Sequence, residues 1–400
     1  MSRLDDLIAE LCPDGVSRVP LWSVTIWDKK FNAVERNKQP IVYDYPYLLA
    51  ADLFALQQEG GDVFLLSTGE QTGWTTEEIA GSNMREGEVV TIPWGKSRAV
   101  TDCIKYYKGK FVTADNRIMT SNDTTKLNNK YLYYWIMSQG KTIDTFYRGS
   151  GIKHPDMAKV LDMLIPVPPL PVQREIVRIL DNFTELTAEL TAELTAELTA
   201  RQKQYKFYAD MLFDAAIDVK PTTLEEISEN CDYLRKPVTS GKREAGAIPY
   251  YGASGIVDYV KDYIFDGDYL LISEDGANLL ARSTPIAFSI TGKTWVNNHA
   301  HILKFPSMVT QKYVERYLNL IDLTPYITGA AQPKLNQKNL NMIQIPLPPM
   351  EEQQRIMGIL DRFDSITNDI TSGLPAEITA RQKQYEYYRD KLLTFKSVDR

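Results

Sequence analysis

The sequence of 400 residues has three cysteines and three histidines, and both scarcities exclude chemistry. Cys12, Cys103 and Cys231 lie far apart without a CxxC pair, so no disulfide framework is expected and the chain fits a reduced, cytoplasmic setting. The histidines, two of them in NNHAH, form no metal-ligand spacing and are expected in structural or solvent-facing roles. No run of 18 apolar residues is present, so no membrane helix is expected. The opening MSRLDDLIAELCPDG is too short and too acidic for a signal peptide. Basic excess is missing as well. The net charge is −7, which argues against a simple basic nucleic-acid binder. Residues 1–160 carry 19 Lys and Arg against 20 Asp and Glu, and residues 218–345 carry 13 against 14. The surplus acid therefore lies in the remaining, helical segments.

Catalytic signatures are absent too. Pro168-Pro169 and Pro348-Pro349 follow Val167 and Leu347 and precede Leu170 and Met350. They lack the Asn or Asp carbonyl and the aromatic ring that methyl transfer to a DNA amino group needs beside a Pro-Pro pair. No GxGxxG follows a strand pattern. AFSITGKT, Ala287 to Thr294, fits a relaxed phosphate-loop pattern, but a strand pattern follows it where a helix N-terminus should meet the phosphate. Thr291-Gly292-Lys293 is expected as a hairpin turn, and PWGKS at 93–97 lacks the upstream glycine. No paired carboxylates and no Ser/His/Asp set stand out. The chain reads as one that binds and positions.

What is present is written twice. IPVPPLPVQREIVRILDNF begins at Ile165 and IPLPPMEEQQRIMGILDRF at Ile345, identical at 10 of 19 positions and offset by 180. TARQKQY recurs letter for letter at Thr199 and Thr379, again offset by 180. A duplication of the whole unit accounts for this. Each half opens with a block of short β-branched and aromatic runs punctuated by Gly, Asn and Pro, among them EVVTIPW, KFVTADNRIM and DYLLISEDG. A tyrosine-bearing helix pattern follows, KYLYYWIMSQ or KYVERYLNLI. A proline gate that no helix can cross comes next, and then a long helix.

In the first half, Gln173, Ile176, Ile179, Leu180, Phe183 and Leu186 recur at spacings of three and four and give that helix one apolar face. Such a rod needs a partner, and its own copy at 351–395 is the obvious one. Antiparallel pairing is favoured over parallel because the first helix runs directly into the second block. Gly373 and Pro375 in TSGLPAE are expected to break or kink the second helix. Within the first lies FTELTAELTAELTAELTA. Its period of four places Leu186, Leu190, Leu194 and Leu198 on a slanting stripe that drifts about 40° per unit, and Phe183 joins them as an expected coiled-coil contact. One unit more or fewer changes the rod by about 6 Å and nearly keeps its face, so the repeat is an adjustable spacer. Glu185, Glu189, Glu193 and Glu197 form a like-charge row, read as a solvated face.

Two variable β-rich blocks, the PPL/PPM helices ending in TARQKQY, and the TAEL array together resemble the DNA-specificity (S) subunit of type I restriction–modification enzymes, in the branch with TAEL spacer repeats. YYGASGIVDYV, WVNNHAHIL and GAAQPKLNQKNL are similar to recurrent features of that family's recognition domains. The resemblance implies an α+β fold. Two mixed α/β target-recognition domains would be separated by two long helices in an antiparallel coiled coil, with a pseudo-two-fold repeat at 180 residues. The expected boundaries are 1–164, 165–215, 216–344 and 345–400. It implies a non-catalytic subunit that reads a bipartite double-stranded DNA target and scaffolds two modification (M) subunits and restriction (R) subunits. S-adenosylmethionine, ATP and Mg would belong to those partners, with no cofactor or metal on this chain. The competing reading is a coiled-coil adaptor whose repeated β-rich domains bind protein or glycan.

Base readers are commonly Arg, Lys, Asn and Gln on loops or ribbons. That directs attention to Gln71, Lys96, Arg98, Asn116, Arg148 and Lys153 in the first block, and to Ser254, Arg282, Lys293, Asn297, Asn298 and Lys334 in the second. The tyrosines of KQYKFY and KQYEYY could stack on bases, but their helical spacing favours packing between helices. The spacer reading gives a first prediction. Deleting one TAEL unit should change the preferred spacing between the two half-sites and leave both half-site sequences as they were. Mapping the methylated motif of the deletion variant checks this, and an altered half-site would refute it.

Overall fold

The computed structural model describes residues 2–46, 48–69, 73–96, 98–114, 116–214, 221–329, 332–367 and 373–398. It divides into two compact units, residues 1–192 with 379–400, and residues 193–378. Among the described residues no helix is long and apolar enough to cross a membrane.

The first unit is built on a six-stranded sheet. Its strands are β1 (Thr25–Trp27), β2 (Val63–Leu66), β3 (Trp74–Thr75), β4 (Arg85–Pro93), β5 (Lys105–Thr113) and β6 (Asn116–Ser121), in the order β1-β6-β4-β5-β2-β3. The sheet is antiparallel except where β2 runs parallel to β5. Packing on both faces of the sheet, with Val90 and Ile92 in one core and Val89 in another, explains why the end of β4 is a continuous buried run, Val89 to Pro93, instead of an alternating one. Helix α1 (Asn129–Ser138) starts at Asn128, whose side chain accepts from the backbone N–H groups of Lys130 and Tyr131. Its Tyr131, Leu132, Trp135 and Ile136 pack with Val90, Ile92 and Met119 of the sheet. Val172, Ile176 and Leu180 of the long helix α2 (Leu170–Asp214) join the same core, as do Leu393 and Phe395 from the chain's last residues.

The second unit reuses these parts in a different sheet arrangement. Its strands are β7 (Glu229–Asn230), β8 (Ala245–Gly252), β9 (Gly255–Val260), β10 (Phe265–Asp266), β11 (Tyr269–Ser273), β12 (Ala287–Ile290), β13 (Lys293–Val296) and β14 (Ala300–Lys304). They form two four-stranded sheets, β7-β14-β11-β12 and β9-β8-β13-β10. Thr291-Gly292-Lys293 therefore turns the chain, with Gly292 at φ +73°, but is not the expected hairpin. The edge of β13 that a hairpin partner would use is taken by β10, and β12 pairs with β11. Helix α3 (Met308–Leu320) packs beside α4 (Met350–Thr367) in a core that includes Ala209, Leu212 and Phe213 from the end of α2.

The ends of each block are clipped together at the proline gate. In the first unit Arg18–Pro20 pairs antiparallel with Leu164–Pro166, and in the second Thr222–Thr223 pairs with Gln344–Ile345. A buried glutamine then fixes each helix start. Gln173 Nε2 donates to the carbonyls of Pro168 and Lys126, both at 2.7 Å, and its Oε1 accepts from the Asn128 N–H at 2.8 Å. Gln353, 180 residues on, donates to Pro348 O at 2.7 Å and accepts from Thr310 Oγ1 at 2.9 Å. Tyr131 and Tyr313 add matching bonds to the carbonyls of Pro166 and Pro346. The proline gate leaves carbonyls without helical donors, and these side chains satisfy them in a dry site.

The long helices run antiparallel. In the first unit Phe183 stacks on Tyr388 of α5 (Leu374–Leu392), and Thr184 Oγ1 meets Tyr385 OH at 3.0 Å. In the second, Tyr205 and Tyr208 pack on Phe363. Tyr205, Tyr208, Tyr385 and Tyr388 thus serve helix pairing, whereas Tyr387 stays exposed. The expected interruption at TSGLPAE falls between α4 and α5, where residues 368–372 lie outside the described ones, and Pro375 sits in the first turn of α5. The leucine stripe is only partly seated. Leu194 is buried and Leu190 and Leu198 are half-buried, but Leu186 is 59% exposed, contrary to expectation. The 40° drift per TAEL unit accounts for it, because four leucines on a rotating stripe cannot all face one straight seam.

Gln173→Leu should strip partners from one amide and two carbonyls at the first gate and cost about 2–4 kcal/mol, since each buried orphan costs about 1–3 kcal/mol. Five of the six tryptophans lie in the first unit, so urea unfolding followed by tryptophan fluorescence reads this loss.

Candidate nucleic-acid interface

Each unit ends its central strand in a loop that meets a glycine-bearing hairpin. In the first unit, Trp94-Gly95-Lys96 follows β4, and the Lys96 N–H donates to Lys153 O at 3.2 Å. Lys153 lies in the hairpin Tyr147-Arg148 to His154-Pro155. In the second, Glu274-Asp275-Gly276 follows β11, and the Gly276 N–H donates to Pro333 O at 3.2 Å in a hairpin closed by Thr328 and Lys334. Gly149 (φ +138°) and Gly329 (φ +83°) open the two turns. A Cβ at either would press on the opposite arm, at Ile152 O or Gln332 O, so glycine is required there. The scaffold repeats at an offset of 180, but the side chains it displays do not. Arg148, Lys153 and His154 are replaced by Thr328, Pro333 and Lys334.

Beneath each hairpin lies a buried cation–aspartate pair that sequence reading missed. Arg117 donates to Asp28 Oδ2 at 3.2 Å, and the Ile118 N–H donates to Asp28 Oδ1 at 3.2 Å. His301 bonds Asp232 Oδ2 at 2.5 Å, and the Ile302 N–H bonds Asp232 Oδ1 at 2.9 Å. The registers correspond, with Arg117 opposite Ile92 of β4 and His301 opposite Ile272 of β11. The Arg117 guanidinium also covers the Trp94 ring at 4.1 Å. Burial pushes the Asp28 carboxyl up, against the pull of Arg117, and lowers Lys29 together with the repulsion of Arg117. Isolated Asp, Arg and His letters 89 and 69 residues from their partners carry no spacing signal.

The residues expected at DNA separate into groups. Lys96, Arg98, Arg148 and Lys153 share one end of the first unit. Lys96 reaches Asp144, Arg98 donates to Thr68 O at 2.7 Å, and Arg148 lies exposed 3.7 Å from Asp156. Lys153 is exposed, with no ion pair among the described residues. A cavity of about 650 Å³ opens beside this group, lined by Lys29, Lys30, Trp94, Arg148 and His154 among others. In the second unit Ser254, Asn297, Asn298 and Lys334 gather at the ends of β8, β13 and β11. The Asn297 N–H donates to Tyr251 O, and Lys334 pairs with Glu274 at 3.1 Å. Lys293 sits at the other end of β13, over the Tyr263 ring at 4.6 Å.

Three expected contacts are used inside the fold instead. Asn116 is buried, and its amide donates to Leu66 O and Ala114 O. Asn297 is buried, and its Oδ1 accepts from the His299 N–H at 2.8 Å. Arg282, at φ +51°, directs its guanidinium to the carbonyls of Leu318, Asn319 and Ile321 at the end of α3. A helix C-terminus offers unsatisfied carbonyls, and a half-buried arginine fills that role. Gln71 lies outside the described residues. Among the described residues no group of three or more His, Cys, Asp or Glu could hold a metal ion.

The duplicated arrangement matches a known protein family. The type I restriction modification DNA specificity domain matches twice, over residues 42–200 and 217–380. The chain belongs to this family. It is 35% identical over 319 residues to the EcoR124I/EcoR124II type I restriction enzyme specificity subunit of Escherichia coli, covering 70% of this chain and 74% of that one. Identity to the EcoprrI specificity subunit of Escherichia coli is 34% over 255 residues, covering 60% and 62%. A Haemophilus influenzae chain provisionally named as such a subunit is 35% identical over 198 residues. That match spans 48% of this chain and half the length of the relative. Among solved structures, a chain from a study of assembly and conformational transition in the type I R-M system superposes with a TM-score of 0.61. It is 14% identical and the match covers 95% and 97% of the two chains, so the likeness concerns the fold.

Removing one member of the first buried pair should be costly. Arg117→Ala leaves Asp28 uncompensated and should destabilise the first unit by about 3–5 kcal/mol, whereas the apolar double replacement Asp28→Leu with Arg117→Met should cost much less. Urea unfolding of both variants checks the difference.

Proposed function

We propose that this chain is the DNA-specificity subunit of a type I restriction–modification complex, with one recognition unit reading each half of a split double-stranded DNA target. The observation that carries this is one scaffold, repeated at 180 residues on a pair of antiparallel helices, presenting different exposed side chains from its two hairpins. The shared hairpin and gate give each unit a surface for one half, and unequal side chains let the halves differ in sequence. Lys96, Arg98, Arg148 and Lys153 are the proposed contacts of the first unit, and Ser254, Asn298 and Lys334 those of the second. Lys293, on the far end of its strand, is left to a phosphate contact.

The helices set the spacing between half-sites and dock two M subunits. Phe207 and Tyr387, at equivalent positions 180 apart, are both strongly exposed, which supports two equal docking sites for two equal partners. S-adenosylmethionine is assigned to the M subunits and ATP and Mg to R subunits, with no cofactor on this chain. The near-neutral recognition units agree with a complex in which partners supply much of the phosphate neutralisation. We place the chain in the cytoplasm, where DNA is met and where the buried, unpaired Cys12, Cys103 and Cys231 remain reduced.

The test is the methylome of a methylation-free host expressing this chain with its cognate M subunit. A new split, asymmetric adenine-methylated motif is the expected result. No new motif, with the M subunit present and bound and the complex showing no salt-dependent DNA binding, refutes the proposal.

A further inference from the structure

The buried cations beneath the two hairpins differ in one respect that matters. Arg117 and His301 are each 1% exposed and occupy corresponding positions, but arginine keeps its proton at any working pH and histidine does not. His301 also makes a bond that Arg117 does not. Its Nε2 donates to Leu335 O at 2.7 Å, beside Lys334 at the base of the second hairpin. A carbonyl only accepts, and so does an ionised carboxylate. Two protons therefore lie between His301 and its two partners, whichever of His301 and Asp232 formally holds the shared one. When one is lost, two acceptors face each other and a contact must open.

Two carboxylates and two cations gather around the ring. Asp232 lies 3.3 Å from Arg235, and Glu274 lies 3.9 Å from His301 while bonding Arg235 and Lys334. Burial would raise both carboxyls, but the bonds from His301 to Asp232 and from Arg235 to Glu274 hold them below the usual carboxylate range. Two other histidines lie near the hairpins. His299 is exposed and pairs with Asp275 at 2.8 Å. His154, on the first hairpin, presents Nδ1 to Trp94 O at 2.9 Å, and that nitrogen donates in both the neutral and the charged ring. The first hairpin is thus held by bonds that do not pass through a buried histidine.

We propose that His301, as an imidazolium, is the positioning residue of the second hairpin, so that target recognition by the second unit alone depends on a proton. This rests on the reading of the two units as target-recognition domains. The imidazolium ties Asp232 and the strand core to the hairpin backbone at Leu335, and thereby fixes where Lys334 points. Without that tie the loop samples other positions and its contacts lose selectivity, while the first hairpin, held through Lys153 O and Trp94 O, is unaffected.

The test uses the full chain in complex with its M subunit. Duplexes carry the mapped split motif, or the motif with base changes confined to one half, and affinities are compared from about pH 6 to about pH 9, a range that begins near the ordinary histidine value. Discrimination against changes in one half should fall about tenfold as pH rises, the scale of one base contact, and discrimination in the other half should stay level. His301→Arg should flatten the falling half. Asp232→Asn, which weakens the hold on the proton, should move the fall to lower pH. His299→Gln should keep the wild-type profile. Both halves falling together, neither falling, or a fall abolished by His299→Gln overturns the proposal. Absence of any split motif with the wild-type complex would instead refute the parent reading before the pH series begins.

Discussion

Everything in this molecule hangs on how a globular block is joined to a long helix, and a buried glutamine makes that joint. At each proline gate the chain must stop being strand and become helix within a few residues, and prolines remove the donors that would satisfy the local carbonyls. Gln173 and Gln353 supply donors and acceptors at that point, and Tyr131 and Tyr313 add a further bond each. A joint built from directional bonds in a dry site fixes an angle as well as a connection.

Duplication then explains what is the same and what differs. The gate, the clipped strands, the aspartate under each hairpin and the glycine at each turn occur in both units, because each solves a backbone problem that any copy faces. The sheets differ: one has six strands, the other two sets of four. So do the hairpin side chains and the buried cations. At the hairpins, divergence falls on side chains that meet solvent or sit beneath the loop, and the shared local frame tolerates it because the backbone bonds carry the geometry.

The repeat of TAEL is a compromise visible in its own packing. A period of four keeps the helix face nearly constant from unit to unit, which lets length vary. The same period rotates the leucines off a straight seam, so Leu186 is left in solvent while Leu194 is buried. The glutamates at 185, 189, 193 and 197 remain exposed, which keeps that stretch soluble without demanding a tight partner.

The sequence by itself determined the repeat, the two blocks, the long helices, their antiparallel sense and the membership of the family. These are legible because identity at a fixed offset and periodicity along a helix are one-dimensional signals. Expectations at single side chains fared unevenly, as Asn116, Asn297 and Arg282 show. A residue type common in base reading is equally suited to bonding a carbonyl inside a fold. Only the tertiary structure decided that β12 and β13 enter different sheets, that Asp28 meets Arg117, and that Asp232 meets His301. These are pairings between distant strands, set by which edges and interior spaces remain once the core has packed, and no local pattern encodes them.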